Sequence, residues 1–329
     1  MTKGEMSEPR ETVRVFDDNR LLPLLFGEHH RHLSELENAL GVSILAHGNE
    51  VKIRGSEDGR LRAAKALDTL YDRVRQGHQI DAGDVTGAAR LSRSTPKAEN
   101  GSPSVDPAFH IRTWRKTVAP RTPHQAKYIE EMRSHELVFG LGPAGTGKTY
   151  LAVALAVSML YQNQIERIVL SRPAVEAGER LGFLPGDLRE KIDPYLQPLY
   201  DALHDMMPAE QVRRRLDIGE IEVAPLAFMR GRTLSNAFVI LDEAQNASPM
   251  QMKMFLTRLG LNSRMVVTGD PSQVDLPPSM TSGLSEASSI LHGVPGIGFV
   301  KFDESDVVRH SLVAKIVKAY NDRDKRKGS

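Results

Sequence analysis

The chain has 329 residues and a formal net charge of +1, with 40% hydrophobic and 26% charged residues. This length allows two domains, and the composition excludes a largely disordered chain. The near-zero net charge provides no global field that attracts nucleic acid or a membrane, and the lack of cysteine excludes disulfides, thiolate metal sites and cysteine nucleophiles. Because the N-terminus is polar and the apolar runs are short, we expect a cytoplasmic protein without membrane contact.

The N-terminal part of the sequence predicts a small α+β domain over residues 12–77, preceded by a disordered segment over residues 1–11. Alternating valines open it as a strand, and leucines at helical spacing follow. Val42–Leu45 and Val51–Ile53 then predict a hairpin. A long helix that ends at Gly77 completes the order β-α-α-β-β-α.

This order resembles that of a KH domain, an RNA-binding module whose GXXG loop clamps the nucleic-acid backbone. Gly27 fits the first glycine of that loop, but His30 stands where the second should be, and Glu28 would repel phosphate. We therefore expect a KH-like fold whose standard binding loop is not intact. The spacing of His29, His30 and His32 favours a solvated or nucleic-acid-facing turn over a metal site.

The composition changes to Gly, Ser, Pro, Asp and Asn after residue 77, which predicts a flexible linker over residues 78–108. Over residues 109–320, apolar strands alternate with helical stretches, as in a parallel α/β sheet, and residues 321–329 form a basic tail. The clearest predicted strands are Leu137–Leu141, Ile168–Ser171, Phe238–Leu241 and Met265–Thr268.

A phosphate-binding motif follows the first of these strands. Residues 142–149 match G-x-x-x-x-G-K-[ST], the P-loop signature, and the apolar helix Tyr150–Leu160 comes next. Its residues are Gly142, Pro143, Ala144, Gly145, Thr146, Gly147, Lys148 and Thr149. The glycines allow backbone N–H groups to surround phosphate, Lys148 would neutralise phosphate charge, and Thr149 would ligate Mg²⁺. The motif predicts a site for ATP and Mg²⁺.

Two further strand ends carry candidate catalytic side chains. The strand Phe238–Leu241 runs directly into Asp242 and Glu243. Because ligands bind at the carboxyl ends of parallel strands, we expect Asp242 to hold Mg²⁺ and Glu243 to polarise the attacking water. Gln273 follows the strand Met265–Thr268 and could sense the γ-phosphate or orient water, although a plain Gly-Asp-Pro turn is the alternative.

Together these segments resemble the PhoH-like ATPase family, whose core is similar to the motor domains of superfamily 1 helicases. The motifs that show the resemblance are Gly142–Thr149, Ser171–Glu179, Leu181–Gly186, Leu241–Asn246, Thr268–Gln273 and Arg309-His310. The resemblance implies a RecA-like P-loop fold that binds and hydrolyses ATP. It also implies that Gln125 is similar to the helicase glutamine that contacts adenine.

Superfamily 1 helicases need two RecA-like domains, and this chain has room for only one. We therefore expect a homo-oligomer, such as a ring, in which a neighbouring subunit completes each site. Arg309 would then act as an arginine finger, or else it caps the helix Ser311–Tyr320. Arg172, at another strand end, is a second candidate for the finger.

The sequence leaves three functions open. The first is an ATPase coupled to RNA binding or remodelling. The second is a nucleotide-gated switch for a protein partner such as a ribonuclease, and the third is a small-molecule phosphotransferase. Basic residues beside Trp114, namely Arg112, Arg115 and Lys116, could stack bases, although a tryptophan that pins the linker to the domain is the alternative.

Overall fold

The computed structural model describes residues 11–75, 77, 80–92, 107–173, 188–277 and 279–308, with the side chains of 188–194 excepted. It divides into two compact units. The smaller one contains the described residues up to Ala108 together with Pro120–Pro123 and Val308, and the larger one contains Phe109–Ala119 and His124–Val307. No helix in these ranges combines the length and apolarity that crossing a membrane requires.

The N-terminal unit has the predicted order β-α-α-β-β-α, followed by one further helix. Its elements are β1 (Glu11–Val15), α1 (Leu22–Phe26), α2 (Arg31–Leu40), β2 (Ser43–His47), β3 (Glu50–Arg54), α3 (Glu57–Arg75) and α4 (Ala82–Leu91). The strands form an antiparallel sheet in the order β1-β3-β2. The strand β1 already begins at Glu11, which the prediction assigned to the disordered N-terminus, and residues 1–10 lie outside the described residues.

Helix α4 corrects the prediction of a flexible linker over residues 78–108. Asp81 caps this helix in a reciprocal pair with Asp84, in which each side chain accepts a hydrogen bond from the other residue's backbone N–H. Val85, Ala88 and Ala89 are buried in the core of the N-terminal unit. The Gly- and Asp-rich composition suggested open chain, but capping and burial of the small apolar residues stabilise a helix. Residues 93–106 lie outside the described residues.

A glycine-lined surface on α4 contacts the segment around Arg121. A Cβ atom on Gly87 would lie 3.0 Å from the Arg121 Cβ and 3.1 Å from its backbone. The Arg121 guanidinium pairs with Asp81 at 2.9 Å and with the buried Asp84 at 3.2 Å, and Arg73 reaches Asp84 at 3.1 Å. Close backbone approach and a shared carboxylate therefore fasten this segment to α4 within the N-terminal unit.

We predict that Gly87→Val destabilises the N-terminal unit, because the added methyl groups would push α4 away from the backbone at Arg121. The expected loss is about 1–3 kcal/mol in the free energy of unfolding, as for other overpacked sites. Urea unfolding followed by circular dichroism measures it. The matched control is Thr86→Val, at an exposed position of the same helix, and an equal loss in both variants would contradict the close contact.

The larger unit is built on a six-stranded parallel sheet in the order β11-β6-β10-β9-β7-β8. A short hairpin comes first, β4 (Ile111–Arg112) and β5 (Thr117–Val118). The remaining strands are β6 (Leu137–Leu141), β7 (Arg167–Arg172), β8 (Ile221–Pro225), β9 (Ala237–Leu241), β10 (Arg264–Gly269) and β11 (Ile297–Lys301). The helices are α5 (Pro123–Ser134), α6 (Lys148–Tyr161), α7 (Leu188–Met206), α8 (Ala209–Asp217), α9 (Pro249–Leu256) and α10 (Gly283–Ile290). All four strands expected from the sequence are present.

Successive strand residues point to opposite sides of the sheet, and helices cover both sides, so the sheet is buried on both faces. On one face, strand residues such as Val138, Ile168, Ile240 and Val266 pack in one cluster with residues of α5, α6 and α7. On the other face, Phe139, Val169, Val239 and Val267 pack with Phe255 of α9 and Leu284 of α10. This three-layer α/β arrangement confirms the predicted fold class and brings the carboxyl ends of the strands to one edge.

Candidate nucleotide site

The P-loop joins β6 to α6, as the sequence predicts. Its backbone takes positive φ at Gly142 (144°), Gly145 (83°) and Gly147 (82°), a region that favours glycine. A Cβ atom on Gly142 would also overlap the Phe302 carbonyl oxygen. The Thr146 hydroxyl donates to the Pro143 carbonyl at 2.9 Å, which closes the loop on itself. Helix α6 then begins at Lys148, so that a helix N-terminus lies directly behind the loop.

Lys148 is buried at the centre of this loop. Its ammonium donates to the carbonyl oxygens of Gly142 at 2.6 Å and Pro143 at 2.7 Å, and it lies 3.3 Å from the Thr146 hydroxyl. These contacts hold the charge of Lys148 against the backbone of the loop. The other residues of α6 are largely apolar, so Lys148 is the charged side chain at its start. A buried cation placed in this way fits a polyphosphate ligand.

Asp242 meets Thr149 across the sheet edge. The Thr149 hydroxyl donates to Asp242 Oδ1 at 2.6 Å, and the hydroxyl of Thr268 donates to the same oxygen at 2.8 Å. Asp242 follows β9 and Thr268 belongs to β10, the strand between β9 and the P-loop strand β6. Sequence reasoning identified Thr149 and Asp242 but missed Thr268, whose signal was its place at the end of a buried strand. Hydroxyl and carboxylate oxygens are ligands that Mg²⁺ prefers, so these residues fit the ion.

Glu243 adopts a left-handed backbone conformation with φ 51° and ψ 40°. Its two carboxylate oxygens have different partners in the same chain. Arg172 lies 3.1 Å from Oε1, and the Gln245 amide donates to Oε2 at 2.5 Å. The structure shows Arg172 and Gln245 as the side chains that hold Glu243, while its action on water stays a prediction. A non-glycine residue in this conformation is strained, which is common at functional sites.

Gln273 is exposed on the turn after β10. Its side-chain amide donates to Asp270 Oδ2 at 2.6 Å and not to the P-loop. Asp270 is buried, and its backbone N–H donates to the Gln245 side-chain oxygen at 3.1 Å. Gln245 thus connects this turn to Glu243, a role that sequence reasoning missed. The contact between Gln273 and the γ-phosphate stays a prediction.

Gln125 is buried beside the P-loop, and its amide donates to the Thr146 carbonyl at 2.9 Å. Gly147 also lies close, because a Cβ atom there would come within 3.1 Å of the Gln125 amide nitrogen. The structure thus shows Gln125 supporting the loop, which the sequence did not indicate, while its contact with adenine stays a prediction. Arg309, the proposed arginine finger, lies outside the described residues.

Tyr128 of α5 is fully buried beneath the P-loop strand, where a Cβ atom on Gly140 would lie 2.8 Å from its hydroxyl. Burial raises the pKa of the Tyr128 hydroxyl well above its usual range, and the nearby Asp242 carboxylate raises it further. This tyrosine therefore stays protonated at physiological pH and supports the strand without acting as a base.

Trp114 packs within the larger unit, while a role in pinning the linker stays a prediction. Its ring meets Tyr161 edge-on with 4.7 Å between ring centroids, and the Arg215 guanidinium lies 4.8 Å above it. Arg115 donates to the His204 carbonyl at 2.8 Å, and Lys116 pairs with Asp205. These basic side chains are thus engaged within the same unit.

The parallel sheet and this site define a nucleotide-binding P-loop ATPase. A sequence profile of the PhoH family, described as "PhoH-like protein", matches residues 117–321. The chain belongs to the PhoH-like family, which confirms the resemblance predicted from the motifs.

Three relatives are similar to this chain, two of which share this description. The PhoH-like protein of Bacillus subtilis (strain 168) is 48% identical over 297 residues, which cover 90% of this chain and 93% of that protein. The PhoH-like protein of Mycobacterium tuberculosis (strain H37Rv) is 48% identical over 315 residues, 95% and 88% of the two chains. Protein PhoH of Escherichia coli (strain K12) is 45% identical over 206 residues, 62% and 58% of the two chains.

Among solved structures, the Sulfolobus solfataricus SWI2/SNF2 ATPase core in complex with dsDNA matches with a TM-score of 0.31 and 17% identity. The match covers 54% of this chain and 44% of that chain. Because this likeness is weak, the fold class rests on the strand order and the P-loop described above.

We predict that Thr268→Val lowers kcat/KM for ATP hydrolysis roughly tenfold, because the variant loses one hydrogen bond to a charged carboxylate. The substitution nearly preserves the shape of the buried side chain, so the variant should fold, with a melting temperature lowered by the lost hydrogen bond. Steady-state phosphate release measures the effect. The control is Thr257→Val, at an exposed position after α9, and equal rates in the two variants would show that Thr268 does not support Asp242.

Proposed function

We propose that the chain binds ATP with Mg²⁺ at the P-loop and hydrolyses the nucleotide. The observation that supports this most strongly is the 2.6 Å hydrogen bond between Thr149 and Asp242. It joins the end of the P-loop to an acidic strand end 93 residues later in the sequence. Each motif alone has a structural alternative, whereas their meeting at the edge of a parallel sheet supports a single phosphate and metal site.

In this proposal each side chain has a distinct task. The P-loop backbone and Lys148 hold the β- and γ-phosphates, and Thr149 and Asp242 hold the ion. Bound Mg²⁺ supplies positive charge that stabilises the phosphate oxygens. Glu243 accepts a proton from water, the water oxygen bonds to the γ-phosphorus, and the bond to the bridging oxygen of ADP breaks. The products are ADP and inorganic phosphate.

We further propose that RNA is the partner of this ATPase. Support comes from the β-α-α-β-β-α order of the N-terminal unit, which resembles an RNA-binding module. Arg230, in the loop after β8, is exposed and adds a local cation. A neighbouring subunit that donates Arg309 to the site belongs to the same proposal, because a single RecA-like domain forms only half of a helicase-like site.

The test is steady-state ATP hydrolysis with and without single-stranded RNA, at low and at physiological salt. We expect RNA to raise the rate, and higher salt to reduce the effect because phosphate contacts weaken with ionic strength. Lys148→Ala should abolish hydrolysis in both conditions, since it removes the cation at the centre of the loop. The matched control is Lys253→Ala, at an exposed position of α9.

Three outcomes would redirect this proposal. Hydrolysis that survives Lys148→Ala would contradict the site itself. Hydrolysis that depends on Lys148 but ignores RNA would contradict the RNA partner and favour a nucleotide-gated switch that binds a protein such as a ribonuclease. Transfer of phosphate to an acceptor, without release of free phosphate, would indicate a phosphotransferase.

A further inference from the structure

The sheet register brings Arg172 next to the acidic strand end. Ser171 pairs with Leu241 in the parallel ladder between β7 and β9, and the Asp242 backbone N–H donates to the Ser171 carbonyl at 2.8 Å. Arg172 is the last residue of β7, so it is level with the residues that follow β9. The ends of two neighbouring strands therefore bring Arg172 close to Glu243, which lies in the turn after β9.

The carboxylate of Glu243 is held on both sides. Arg172 lies 3.1 Å from Oε1 and the Gln245 amide nitrogen lies 2.5 Å from Oε2. The Arg172 guanidinium is itself anchored, because its Nη1 donates to the Tyr195 carbonyl at 2.8 Å. One oxygen of the proposed base thus forms an ion pair with an arginine, and the other accepts a hydrogen bond from an amide of the same chain.

These two contacts restrain the Glu243 carboxylate in its proposed role as a general base. Each carboxylate oxygen keeps a second lone pair that can accept a proton from water, so the two contacts limit the base by limiting how far the carboxylate can rotate toward that water. The side chains of Arg172 and Glu243 are 22% and 38% exposed. Such a partly exposed ion pair is weak, and it is open to competition from another anion in solution.

We propose that Arg172 is a positioning residue that restrains Glu243, and that a phosphodiester of RNA releases it by exchanging for the carboxylate. Guanidinium groups bind carboxylate and phosphate with the same planar set of donors, which makes this exchange chemically natural. The inference rests on the proposed function, because it assigns the site's response to RNA to one side chain. Arg172 in this role acts within its own chain and not as a finger for a neighbour.

The experiment compares wild type with Arg172→Ala and Arg172→Lys by steady-state ATP hydrolysis, with and without single-stranded polyuridine. For Arg172→Ala we expect the basal kcat to rise roughly twofold to fivefold, the range that a partly exposed ion pair supplies. The KM for ATP should not change, and polyuridine should add nothing further. Arg172→Lys should restore the low basal rate, because the ammonium also pairs with the carboxylate.

The double variant Arg172→Ala with Glu243→Gln shows whether the gained rate passes through Glu243, and we expect it to lose that gain. Arg167→Ala, at the opposite end of β7, is the matched control and should keep both the wild-type basal rate and the response to RNA. Thermal melting of every variant reports whether the fold is intact.

A fall in kcat, or no change, in folded Arg172→Ala would overturn the restraint. Full stimulation of this variant by polyuridine would overturn the exchange. Failure of the proposed function has a different signature, since wild type would then hydrolyse no more ATP than Lys148→Ala. If wild type hydrolyses ATP but ignores RNA, the RNA partner and the exchange both fail, while the basal rate of Arg172→Ala still decides the restraint.

Discussion

The hydrogen bond from Thr149 to Asp242 is the contact on which the site depends. It requires that α6 start immediately behind the P-loop and that β9 end near the carboxyl end of β6. Across the intervening β10, Leu241 is level with Phe139 of β6. The buried sheet supplies this alignment, because side chains on both faces are closely packed against helices and a shifted strand would lose that packing. The hydroxyl of Thr268, on the intervening strand, also donates a hydrogen bond to Asp242. A hydroxyl, a carboxylate and a second hydroxyl thereby converge on one point.

Side chains of opposite charge lie close together around the contact between Thr149 and Asp242. Lys148 brings a cation into the P-loop, while Asp242 and Glu243 bring anions to the neighbouring strand end. Arg172 and Gln245 hold the second acid, and Gln245 also binds the backbone of Asp270 on the turn that bears Gln273. This network joins three strand ends into one polar cluster. A change in any of its members would therefore be transmitted to the proposed base, which is how we expect a bound partner to influence hydrolysis.

Much of the larger unit is predictable from sequence because its signals are local. Continuous apolar runs indicate buried parallel strands, and the P-loop spacing specifies a backbone that only glycine adopts readily. Helix α4 was missed because small residues such as Ala88 and Ala89 give weak periodicity, and the Asp81–Asp84 cap becomes visible only in three dimensions. The contacts of Thr268, Gln245 and Arg172 depend on strand order and register, which one sequence does not reveal. The roles of Gln273 and Arg309 stay predictions.

The most direct test of the account is the Mg²⁺ dependence of nucleotide binding, measured by titration of a fluorescent ATP analogue into wild type and Asp242→Asn. The account predicts that Mg²⁺ tightens nucleotide binding to wild type by about tenfold or more and that Asp242→Asn loses most of this gain. Without the ion, the variant should bind the nucleotide no more weakly than wild type, because the neutral side chain does not repel the phosphates. An equal gain from Mg²⁺ in both proteins would show that Asp242 does not hold the ion, and would contradict the site described above.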